Sequence, residues 1–154
     1  MSVKTLARDR DVAEVLGRLR TLRPDSPRRW GRMSPHQVVC HLRDAFVMGT
    51  AAKPVSYADG WRERTIIKWI ALYSPFAWPP GIMTRPEVDQ EFGGTRPTTF
   101  DDDVRTLETV LQIVTTQRGF FAGRAHPIFG PLSEAAWLRW GYLHMDHHLR
   151  QFGV

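Results

Sequence analysis

The segment Tyr142-Leu143-His144-Met145-Asp146-His147-His148-Leu149-Arg150-Gln151-Phe152 places three of the chain's six histidines within five residues. In a helix, His144 and His148 stand one turn apart and about 40° around the axis, with His147 about 60° to the other side of His144. Two neutral imidazoles in that relation can aim at one point, and imidazole nitrogen is the commonest side-chain ligand for a first-row divalent metal. A helical H-x-x-x-H supplies only two ligands. A metal site needs at least three from the protein, with an open position for water if it is catalytic. The third must come from elsewhere in the chain.

The elements that would position it are readable. From Asp9 onward, Val12, Val15, Leu16 and Leu19 form one helical stripe, with acids early and arginines late as the helix dipole prefers. Pro24-Asp25-Ser26-Pro27 ends that helix. Ser34-Pro35-His36-Gln37 then reads as a helix start, with Ser34 at the N-cap, Pro35 in the first helical position and Gln37 closing a capping box. The second helix carries Gln37, Val38, His41, Ala45 and Met48 along one face, and Gly49 ends it.

Between Ala51 and Pro97 the pattern loosens into a long crossover holding one short helix over Trp61–Tyr73, expected to be mostly buried. Thr99 (or Thr98) caps a further helix whose first turn holds Asp101, Asp102 and Asp103. Its apolar positions are Val104, Leu107, Val110, Leu111 and Val114, and dipole complementarity accounts for the three acids. Residues 120–132 read as a rigid apolar connector. Ser133 caps the last helix, which runs through Trp137, Trp140, Gly141, His144 and His148. The expectation is an all-α fold of four main helices with no strand pattern.

On that frame His36 falls in the first turn of the second helix and His126 in a loop before Pro127. His41 lies one turn inside the second helix, on its inward stripe, where an imidazole without a partner is costly. It is the best third ligand.

Composition excludes several classes. At 154 residues the chain is the usual size of one domain, and no apolar run approaches the roughly 18 to 20 residues of a membrane span. The N-terminus becomes charged where a signal peptide needs its apolar region, so a cytoplasmic location is expected. The lone Cys40 excludes an internal disulfide and any multi-cysteine zinc site, and its neighbours Val38, Val39 and Leu42 predict a buried thiol that acts as a small hydrophobe. The net charge of +5 raises the question of nucleic acid. However, arginine is spread along the whole chain, and no nucleic-acid-binding signature is present; solvated faces explain the charge better.

The stretch Trp30-Gly31-Arg32-Met33-Ser34-Pro35-His36-Gln37-Val38-Val39-Cys40-His41-Leu42-Arg43-Asp44 resembles the first conserved segment of the DinB/YfiT-like superfamily of metalloenzymes. His126-Pro127-Ile128-Phe129-Gly130, followed by the histidine segment through Gly153, resembles a domain-of-unknown-function branch within it. The resemblance covers nearly the full chain. It implies a single domain over residues 1–154, an up-down-down-up four-helix bundle. In it, one histidine from the second helix and an H-x-x-x-H pair from the fourth hold a divalent metal, zinc or nickel. Carried over, these are His41, His144 and His148, the set already reached from the helix faces.

His147 is then an extra imidazole, either an acid/base or water-binding group or a polar residue of the helix surface. Asp44, one turn after His41, is a candidate to orient a ligand or accept a proton, with a salt bridge to an arginine as the competing role. No glutamate follows His144, so the H-E-x-x-H metalloprotease arrangement is absent. Asp146, four residues before Arg150, reads as structural. Trp30, Trp61, Trp78, Trp137 and Trp140 are candidates for lining a pocket above the metal or for packing in the core.

Relatives of the implied fold include thiol-dependent transferases and hydrolases. The expected function is therefore metal-dependent activation of water or a thiol for hydrolysis or group transfer on a small-molecule substrate. The expected partners are that substrate, a thiol cofactor as one form of it, and a second copy of the chain, with no membrane and no nucleic acid. A non-catalytic helical protein whose histidines are structural or bind adventitious metal is the alternative.

Overall fold

In the computed structural model, which describes residues 3–58, 60–82 and 84–154, five α-helices form the framework of the fold. They are α1 (Asp9–Leu19), α2 (Pro35–Val47), α3 (Lys68–Tyr73), α4 (Phe100–Thr116) and α5 (Glu134–Gln151). Two helix starts are built as the residue types require, whereas Thr99 stands at the N-cap of α4 without a side-chain cap hydrogen bond, its hydroxyl donating instead to the Asp102 carboxylate. The Ser34 side chain accepts from the Gln37 backbone while the Gln37 side chain accepts from the Ser34 N–H, completing the capping box of α2. The Ser133 hydroxyl likewise accepts from the Ala136 N–H at the start of α5. Among the described residues no helix is long and apolar enough to cross a membrane.

α2 packs chiefly on α4, and α5 packs on α1, α2 and α3. The shared core is Val15 and Leu19 of α1, Val38, Leu42 and Phe46 of α2, Leu107 and Leu111 of α4, and Trp137, Met145 and Leu149 of α5. Two glycines let backbones come close where side chains could not. A β-carbon on Gly141 would stand 2.8 Å from both Leu6 Cδ1 and Phe46 Cε1, so the bare backbone of α5 is what admits the Phe46 ring of α2. Gly153 ends α5 with φ +77, a left-handed conformation, against the Arg29 guanidinium. The Arg29 N–H donates to the Gln151 carbonyl at 2.8 Å, tying the loop after α1 to the end of α5.

Two expectations need correction. The fold is helix-rich rather than purely helical: the connector before α5 contains a hairpin in which β1 (Ala125–His126) pairs antiparallel with β2 (Gly130–Pro131). Strands of two residues are too short to show the alternation by which a strand is read in a sequence. The helical segment over Trp61–Tyr73 exists, its middle wound as a π-helix at Glu63–Ile67, but it is not mostly buried. Leu72 is its core anchor, whereas Trp61 and Trp69 are 65% and 66% exposed, and Ile66, Ile70 and Tyr73 face outward with them. Apolar residues recur on every side of the segment, interleaved with Arg62, Glu63, Arg64 and Lys68, so its sequence could not say which side meets the core.

Replacing Gly141 by valine would place carbon where Phe46 and Leu6 already sit. Overpacking of this kind costs about 1–3 kcal/mol. Urea unfolding should show that loss as a lower midpoint at unchanged slope; an unaltered midpoint would mean that α2 and α5 do not approach as described.

Candidate metal centre

The third histidine comes from the neighbouring helix, as the face analysis requires. α2 brings His41 against the pair on α5, and one ring nitrogen of each of His41, His144 and His148 lies within 4.8 Å of the other two. All three rings are buried, and they pack edge to face, with centroids 4.8 to 5.1 Å apart. His41 Nε2 and His144 Nε2 are 3.2 Å apart.

The outer nitrogens decide what the inner ones offer. His41 Nδ1 lies 2.7 Å from the Val88 carbonyl, which can only accept, so Nδ1 carries the proton and Nε2 presents a lone pair. Val88 ends a 3₁₀ turn (Pro86–Val88) in the crossover, and that turn packs on α2. His148 Nδ1 is 3.0 Å from Gln151 Oε1, and the amide is oriented because its nitrogen donates to the Trp30 carbonyl at 2.9 Å. His148 therefore also has Nε2 free. His144 Nδ1 is buried with no protein partner. Two ligands on one metal at about 2.0–2.1 Å stand about 3.3 Å apart at the tetrahedral angle, close to the spacing of the His41 and His144 nitrogens. The donor set, three neutral imidazoles with two outer nitrogens held by acceptors, fits a borderline divalent cation.

Burial keeps the rings neutral. It pushes the pKa of His41 down against the opposing Val88 hydrogen bond, and it pushes His144 and His148 well below the ordinary histidine value. The charge that each protonated ring would impose on its neighbours lowers His144 and His148 further. Trp78 and Trp140 pack against His144, and Trp30 and Trp78 against His147. Of the five candidate tryptophans, these three border the histidines; Trp137 is core, stacked on Phe121, and Trp61 is exposed.

The remaining candidates divide. His147 is buried beside His148, hydrogen-bonds the Trp78 carbonyl and leaves Nδ1 without a partner. Asp44 is directed elsewhere. Its oxygens accept from the Thr95 N–H and hydroxyl, both at 2.7 Å, and from Arg43 at 3.2 Å, with Lys53 at 3.5 Å, so its carboxylate anchors the crossover to α2. Asp146 pairs with Arg150 and with Arg18 of α1, each at 2.8 Å. The outer partners Gln151 and Val88 were not singled out in the sequence. Gln151 had a signal, an amide three residues after His148 on one helix; a backbone carbonyl such as that of Val88 has none. A second group, His36, Cys40 and Asp103, also converges, with one ligand atom from each within 4.8 Å of the others.

The family described as Protein of unknown function (DUF1569) matches residues 4–153, and the chain belongs to that family. No curated protein and no solved structure matches it.

His126, near this site and packed on Trp137 and Trp140, adds to the pH dependence: burial pushes its pKa from 6.5 down to about 3. A ring with a depressed folded pKa is protonated first in the unfolded chain. Its stabilising contribution is full above about pH 6.5 and is lost as the pH falls toward the folded value. Chelator-treated protein should therefore lose about 1.4 kcal/mol of unfolding free energy per pH unit for each titrating ring between about pH 6.5 and 4. His126→Asn should make the slope shallower. A flat profile measured by urea unfolding would contradict the burial of these rings.

Proposed function

We propose that this member of the DUF1569 family is a metal-dependent enzyme of the DinB/YfiT-like type. In this reading α1, α2, α4 and α5 are the four helices of the bundle, and His41, His144 and His148 hold zinc or nickel. The observation that carries the proposal is the meeting of three buried, neutral imidazoles from two helices, with the outer nitrogens of His41 and His148 already tied to acceptors.

A divalent cation held by neutral ligands keeps its full charge, and so can polarise a substrate carbonyl or lower the pKa of a bound water or thiol toward neutrality. The chain's own residues do the rest. The Val88 carbonyl and Gln151 hold two of the rings in the ligating tautomer. Trp30, Trp78 and Trp140 exclude water around them and offer apolar surface to a small organic substrate. His147, with Nε2–H bound to the Trp78 carbonyl, presents Nδ1 as the acceptor for a proton released from water or a thiol, and can return it to a leaving group. Hydrolysis and thiol-dependent group transfer both use this arrangement.

Metal analysis of protein prepared without a histidine tag tests the reading directly. Metal content should fall by one equivalent per chain in both His41→Ala and His144→Ala, with the helical circular dichroism retained. Equal content in all three proteins would overturn the metal-site reading and leave the histidines structural. Gln151→Leu removes the partner of His148 at nearly constant volume, and loss of such an orienting partner weakens metal binding about 10–100-fold. Zinc competition against a chromophoric chelator measures it; wild-type affinity in the variant would remove Gln151 from the site.

A further inference from the structure

α2 presents a second pair of metal-ligating side chains one turn apart, His36 and Cys40, and both meet Asp103 in the first turns of α4. His36 Nε2 lies 2.7 Å from Asp103 Oδ2, and the Cys40 thiol hydrogen-bonds the same carboxylate. Cys40 and Asp103 are buried, and His36 is half-buried. We propose that His36, Cys40 and Asp103 form a second metal site, selective for a borderline divalent cation such as zinc, with a fourth position for water.

The carboxylate is set in place before any ligand arrives. It accepts from the Thr98 N–H at 2.8 Å and the Thr98 hydroxyl at 3.2 Å, so its remaining capacity points at the two α2 side chains. Sulfur, imidazole nitrogen and a single carboxylate are a zinc-type donor set, and the thiolate disfavours magnesium and calcium. The same three residue types also occur in nucleophilic cysteine sites, but here the roles are wrong. The thiol donates to Asp103 rather than to an imidazole base, and burial pushes its pKa up to about 12, so it is no nucleophile by itself.

Binding balances simply. The cation takes the place of two protons, that of the Cys40 thiol, which is released to solvent, and that on His36 Nε2, which faces the Asp103 carboxylate and is replaced by one taken up at Nδ1, so that the neutral ring switches tautomer and offers Nε2. Asp103 keeps both Thr98 contacts. Consecutive residues of a helix point about 100° apart, so Cys40 and His41 serve different faces of α2 and the two sites are separate. The site would clamp α2 to α4, the most extensive helix contact of the fold.

Cys40 is the chain's one cysteine, which makes the test selective. Cobalt(II) bound by histidines alone has weak visible bands, whereas a cobalt thiolate adds an intense near-ultraviolet charge-transfer band. Titration of wild-type protein with cobalt under reducing conditions should give that band, saturating at one equivalent. Cys40→Ser should lose the band and one equivalent while keeping the visible bands of the three-histidine site. The double variant His144→Ala/His148→Ala should keep the band, whatever the fate of the three-histidine reading. Asp103→Asn should shift saturation to at least tenfold higher cobalt. Cobalt binding without the charge-transfer band, or a band lost in a folded double variant, would overturn the proposal and leave the three residues as a hydrogen-bonded tie. Should the double variant fail to fold, the comparison of wild type with Cys40→Ser decides alone.

Discussion

Three imidazoles buried within one another's reach cannot be charged together, because each positive ring would raise the cost of the next and all three have lost their water. The fold accommodates this by keeping them neutral and by directing the protons of two of them to chosen acceptors. The proton of His41 goes to Val88 and that of His148 to Gln151, and what remains is lone-pair density facing inward. His41 Nε2 meets His144 Nε2 at 3.2 Å, where two lone pairs would repel unless a proton or a cation lay between them. The rest of the molecule is arranged so that this confrontation occurs at one place.

That arrangement starts at Gly141. Without a side chain there, α5 accepts the Phe46 ring of α2, and the two helices come close enough for His41 to reach the ring of His144. The Ser34 capping box fixes where α2 begins and hence which turn carries His41. Asp44 then ties the crossover to α2 through Thr95, and the same crossover supplies the Val88 carbonyl. Polar contacts that look merely structural therefore determine which nitrogen of His41 is available.

Much of this was legible in the residues. H-x-x-x-H at helical spacing and the inward stripe of Gln37, His41 and Ala45 identify the triad, and Ser34-Pro35-His36-Gln37 is a start signal with few alternatives. What escaped has a physical reason in each case. The Trp61–Tyr73 segment has apolar residues on every side among its four charged ones, so periodicity could not show that it lies on the surface. The hairpin pairs two residues with two, below the length at which alternation exists. Asp103 was indistinguishable from Asp101 and Asp102 as a dipole-complementing acid until the packing of α4 on α2 singled it out against His36 and Cys40. Cys40 was rightly expected to be buried, but its neighbours in sequence are apolar and its polar partner lies far along the chain.

The central claim is that the lone pairs of His41, His144 and His148 converge to hold one cation. The most direct measurement is an anomalous difference map from crystals grown with zinc, recorded on both sides of the zinc absorption edge. The account predicts a peak about 2.0–2.1 Å from one nitrogen of each of the three rings. Ordered rings with the His41 to His144 nitrogen contact retained and no anomalous peak between them would contradict it.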